Sequence, residues 1–181
     1  MINTMKRRGF TLIELMVVIV VMGALLILNV VNLRGTQVSA RDAERKTDVE
    51  TIILHLDTYY QIGSDTGSGL GRYPSTVLSS SSASYMQQTL RDIDTSSLSA
   101  PGITDPTQTF ISATNNTQTT AGVTPQPTIS QYVYQPIQNS GALCTAETQE
   151  CRKFNIYYKL ETATTDCPGP SNICLVTGKN Q

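Results

Sequence analysis

The chain has 181 residues with 13 basic and 14 acidic side chains, a net charge of −1, so no basic surplus points to a nucleic-acid partner. It holds no tryptophan, three phenylalanines and a single histidine, which argues against a large aromatic core and leaves a histidine-based catalytic centre unsupported. Its four cysteines all fall between residues 144 and 174, where cross-links could reinforce a small core.

The N-terminus is the most informative stretch. Lys6, Arg7 and Arg8 precede an apolar run, Phe10 to Val31, whose strongly polar members are Thr11, Glu14 and Asn29. As a helix this run rises about 33 Å, enough to cross a hydrocarbon core. The basic flank would stay in the cytoplasm and the remainder would lie outside it. An ordinary signal peptide is the plainer reading, with a small-residue pattern at Val38-Ser39-Ala40. That reading places the cut far beyond Leu28 and gives Glu14 no purpose. A carboxylate among apolar residues is costly without a partner, and neither Lys6 nor Arg8 is within helical reach of it. Cutting between Gly9 and Phe10 would create an α-amino group at the mouth of the run. The Phe10 ammonium of one copy would then face Glu14 of the next.

The residues "KRRGFTLIELMVVIVVMG" resemble the N-terminal signal of type IV pilins and pseudopilins. The resemblance implies cleavage after Gly9 by a prepilin peptidase, N-methylation of Phe10, and a filament-assembly role for Glu14. It also implies a homo-oligomeric helical filament, an assembly machinery as partner, and residence in the membrane before assembly. Many family members carry proline where this chain has Val31, and here Gly23 and Asn29 are the weak points of the helix.

The helix pattern continues past the apolar run, since only Gly35 interrupts residues 31–61 and no proline does. "SARDAERKTDVE" pairs Asp42 with Lys46, Lys46 with Glu50, Arg41 with Glu44 and Arg45 with Asp48 at helical spacing, which reads as a solvated face. Val49, Ile52, Ile53, Leu56, Tyr59 and Tyr60 then recur at three and four. His55 lies beside this stripe as a packed or half-exposed helix residue. Gly63 ends the helix.

Residues 63–128 are rich in Gly, Ser and Thr and read as a loop region. One short helix is predicted, Ser84 to Ile93. "GSDTGSGLGRYPS" fails as a phosphate loop, because Gly69 is followed by Arg72 at the position that needs glycine and no strand precedes it. Asn115-Asn116-Thr117 matches a glycosylation sequon. From residue 129 the texture turns β-branched and aromatic. "ISQYVYQPI", "KFNIYYKLE" and "NICLVTG" predict three antiparallel strands, one face of which covers the helical stripe.

Cys144 and Cys151, and Cys167 and Cys174, each enclose six residues. Three pairings are open, and local pairing is the simplest. Zinc ligation by all four is the competing reading, although zinc sites favour two to four residues between ligands. The C-x-x-C of a redox centre is absent.

The fold class expected is α+β and pilin-like. A leader (1–9) is removed, a membrane-spanning and filament-core helix covers 10–31, and its amphipathic continuation covers 32–62. Loops (63–128) and a small antiparallel sheet (129–181) follow. The function expected is a structural filament subunit, not an enzyme, with no cofactor and no metal. A surface pilus for adhesion, motility or DNA uptake is the first reading, with a host or partner cell surface as a further contact. A type II secretion pseudopilin is the second. A secreted or membrane-tethered binding domain is the third.

Overall fold

The computed structural model describes residues 9–64, 69–165, 167 and 170–178, without the side chains of 28–34 and 170. Lys6, Arg7, Arg8 and Gly67 therefore lie outside the described residues, as do the side chains of Asn29 and Val31. The chain divides into two compact units, Met1–Ser39 and Ala40–Gln181.

Helix α1 (Leu12–Ile62) begins in the first unit and ends in the second. Among the described residues no helix is long and apolar enough to cross a membrane. This overturns the membrane-spanning segment expected at 10–31, and with it the single-pass localisation and the membrane partner.

The second unit is a helix packed on a sheet. Val49, Ile52, Ile53 and Leu56 of α1 are buried against Tyr132, Tyr134, Phe154, Ile156 and Tyr158 of the sheet. The sheet has four strands in the order β1 (Phe110–Ser112), β2 (Tyr132–Gln138), β3 (Cys151–Lys159) and β4 (Ile173–Thr177). β2–β3 and β3–β4 are antiparallel, but β1 runs parallel to β2, so the sheet is mixed rather than purely antiparallel. β3 is buried along most of its length because both faces are covered. Ala113 and Val123 cover the face away from α1, packing on Val133, Tyr157 and Ile173. The Gln135 side chain fixes that cover. It donates to the carbonyls of Asn115 and Thr117 and accepts from Asn155 and Tyr157.

The segment read as loop is substantially folded. It contains α2 (Val77–Ser80), α3 (Ala83–Thr89), a 3-10 turn (Thr95–Leu98), α4 (Pro106–Thr109) and β1. Leu78, Met86, Leu90, Ile93, Leu98 and Phe110 join the core that α1 covers. Each is fully buried. The predicted helix at 84–93 is realised over Ala83–Thr89, with the Ser82 hydroxyl capping it through Tyr85 N–H.

Two disulfides close short loops, Cys144–Cys151 with Cα atoms 5.8 Å apart and Cys167–Cys174 at 4.5 Å. The first also organises its surroundings. Tyr73 N–H donates to the Cys151 carbonyl at 2.8 Å, and Thr76 N–H donates to the Cys144 carbonyl at 2.9 Å.

Candidate functional site

The assembly residues expected from sequence cluster at the start of α1. Gly9 and Phe10 precede the helix without regular structure, and both are exposed. A Cβ added to Gly9 would meet nothing within 4 Å, so packing within the subunit does not require glycine there. Glu14 has a partner inside its own chain. Its Oε2 accepts from Thr11 N–H and from the Thr11 hydroxyl, each at 2.9 Å, while Glu14 N–H donates to Thr11 Oγ1 at 3.3 Å. Thr11 is the N-cap and Glu14 the third residue of the helix, so the pair forms a capping box. Bonds from the Thr11 main chain, then from its hydroxyl, hold the Glu14 carboxyl below the usual carboxylate range. It is therefore ionised at neutral pH. Both bonds fall on one oxygen, and the other stays open to a donor from outside the subunit.

The capping box was legible as Thr-x-x-Glu before an apolar run. Reading Glu14 only as a charge in need of a cation missed it.

Beyond Glu14, the apolar side chains from Phe10 to Ile27 are exposed on every face. Phe10 is 90% exposed and Ile27 68%. A helix apolar all round is normally buried in something, and an exposed apolar surface this large marks an interaction site.

The charged stretch that follows is not a solvated face. Asp42, Arg45 and Asp48 are buried. Arg41 grips Glu161 through two bonds, at 2.8 and 2.7 Å. Arg45 bonds Asp42 and Glu161, both at 2.9 Å, and the Ile129 carbonyl at 2.9 Å. Asp42 accepts from Glu161 N–H, Thr162 N–H and the Thr162 hydroxyl. The Arg41 and Arg45 bonds outweigh burial and bring the Glu161 carboxyl down to about 2. This cluster ties the chain after β3 to α1 within the second unit.

The remaining candidates have structural roles. His55 Nδ1 contacts the Leu90 carbonyl at 2.5 Å. Asn115, the sequon residue, donates its amide to Gly122 O at 2.7 Å and accepts from Thr124 N–H at 3.1 Å, so its side chain is already engaged. Cys144, Cys151, Cys167 and Cys174 lie in the two disulfides. Among the described residues no group of three or more His, Cys, Asp or Glu could hold a metal ion.

Residues 4–28 match the family model described as the prokaryotic N-terminal methylation motif. The chain is also similar to type II secretion system core protein G of Dickeya chrysanthemi, 39% identical over 71 residues, and to that of Escherichia coli strain K12, 45% identical over 56 residues. The motif and these partial similarities support a type IV pilin or pseudopilin assignment. The two matches cover 39% and 31% of this chain and 42% and 39% of the relatives, so it spans about two fifths of their length. No solved structure matches.

Proposed function

We propose that the chain is a repeating subunit of a type II secretion pseudopilus. A prepilin peptidase cuts it after Gly9 and N-methylates Phe10, and it polymerises through the apolar start of α1. The observation that carries this reading is the exposed apolar helix headed by an ionised Glu14 whose second oxygen is open. Bundling with other copies would bury that surface. The Phe10 ammonium of a neighbour would supply the missing donor and fix the stagger between subunits.

A secretion pseudopilus is favoured over a surface pilus on two grounds. The curated relatives are named as secretion-system proteins. The Ser/Thr-rich segment, read from sequence as loop, contributes instead to the core.

Two substitutions at Glu14 test the mechanism. Glu14→Gln keeps the capping box, since glutamine serves at that position, but removes the charge. Glu14→Val removes both. The expected outcome is loss of filaments with either variant, while N-terminal sequencing still finds chains starting at Phe10, heavier by one methyl group. Normal filaments from Glu14→Gln would show that the carboxylate acts only as a cap and would sink the ammonium contact. Mature chains starting near Ser39–Arg41 would sink the whole reading.

A further inference from the structure

We propose that the cavity between the end of α1 and the Cys144–Cys151 loop binds a small zwitterion, either a free amino acid or a short peptide with both termini free. The cavity measures about 350 Å³ and lies wholly within the second unit, a size suited to such ligands. Its walls include Tyr59, Arg72, Leu78, Tyr85, Gln88 and Glu147. The proposal does not depend on the filament reading, which uses none of these residues.

Three features make this a built site. Tyr59 is only 8% exposed, yet among the described residues its hydroxyl has no hydrogen-bond partner. The Arg72 guanidinium likewise has no carboxylate partner among the described residues. The bond that Arg72 makes is through its main chain, N–H to Gly69 O at 3.1 Å. Glu147 accepts from the Tyr85 hydroxyl through Oε1, and Oε2 is left for a second donor. Arg72 and Glu147 thus place opposite charges on one cavity without pairing with each other.

Both charges act at the same point. Burial raises the Tyr59 phenol, Arg72 opposes that rise and Glu147 adds to it. A purely anionic ligand would meet Glu147, and a purely cationic one would meet Arg72. A ligand with a carboxylate at one end and an ammonium at the other matches both. The carboxylate would sit on Arg72 with the Tyr59 hydroxyl donating to it, and the ammonium on Glu147.

The Glu147 arm is preorganised. The disulfide closes its loop, and Gln149 Oε1 accepts from Thr145 N–H at 2.7 Å and Ala146 N–H at 3.0 Å. A loop held this way loses little freedom on binding.

Calorimetric titration of the full chain with L-leucine and with glycyl-L-leucine tests the assignment. At least one should bind. N-acetylation of that ligand, or amidation of its carboxylate, should weaken binding about tenfold or more. Arg72→Gln and Glu147→Gln should each do the same, and both positions are accessible enough to leave the fold intact, which circular dichroism checks. Binding of L-leucine identifies a free amino acid as the class, and binding of the dipeptide alone identifies a peptide. Failure of both ligands to bind up to about 10 mM overturns the proposal. So does binding that depends on only one of the two charges, or on neither.

Discussion

Glu161 and Asp48 are carboxylates beside the same guanidinium, yet their environments push them in opposite directions. Glu161 is brought down to about 2 by Arg41 and Arg45. Asp48 is pushed up to about 6 by burial, which outweighs the hydrogen bond from the Tyr132 hydroxyl at 2.8 Å, with Glu44 adding to the rise. The consequences for stability follow from linkage. A carboxyl raised in the folded state binds its proton more tightly there, so Asp48 supports the fold below its ordinary pKa of 3.8 and loses that support as pH rises through about 6. Glu161 supports the fold above its ordinary 4.5 and loses that support as pH falls toward about 2. Asp48→Asn keeps an acceptor for Tyr132 and removes the titration. Between pH 4 and 7 the wild type should lose up to about 3 kcal/mol relative to this variant. Urea unfolding at several pH values checks it, and parallel curves for the two proteins would refute it. In the acid range Glu161→Gln should abolish the part of the stability loss that falls between pH 4.5 and 2.

At the scale of elements, α1 shows what a periodic sequence reveals and what it conceals. The stripe from Val49 to Tyr60 was readable because its apolar residues recur at three and four, and the helix needs only a sheet to cover it. The burial of Asp42 and Arg45 was not readable. Their partners, Glu161, Thr162 and the Ile129 carbonyl, lie more than eighty residues away, and local spacing offered solvated pairs instead. β1 escaped notice for a related reason. It spans three residues and exists only through its pairing with β2. At the proposed assembly site, Gly9, Phe10 and Glu14 were legible as a motif, whereas the Thr11 cap was not read from it. Two substitutions separate these readings. Arg45→Ala would leave Asp42 and Glu161 short of a cation in a buried setting and should destabilise the second unit by about 3–5 kcal/mol. A solvated charge would cost under about 0.5 kcal/mol. Leu90→Ala, in the segment whose composition resembled a loop, should cost about 2–5 kcal/mol through the cavity it opens. Denaturant midpoints report both.

At the scale of the molecule, the second unit fully buries six aromatic side chains, Tyr73, Phe110, Tyr132, Tyr134, Phe154 and Tyr157, and two disulfides reinforce it. Each closes a loop of similar length, with a sequence separation of 7, so chain entropy alone predicts about 2–3 kcal/mol from each. Their settings differ. Cys144–Cys151 joins the middle of the loop after β2 to the first residue of β3. Its two carbonyls accept the main-chain bonds of Tyr73 and Thr76, and Tyr73 in turn donates its hydroxyl to Asp57 of α1 at 2.9 Å. The neighbouring Pro74 carbonyl accepts from Tyr134 at 2.6 Å. Opening this disulfide should therefore loosen the 73–76 segment as well as its own loop. Replacing Cys144 and Cys151 by alanine is expected to cost the full 2–3 kcal/mol or more. It should also raise amide exchange at Tyr73 and Thr76. Replacing Cys167 and Cys174 should leave exchange at those two amides unchanged. Hydrogen exchange on the two double variants distinguishes the cases. Equal protection of Tyr73 and Thr76 in both would mean that the first disulfide stabilises only by shortening the unfolded chain.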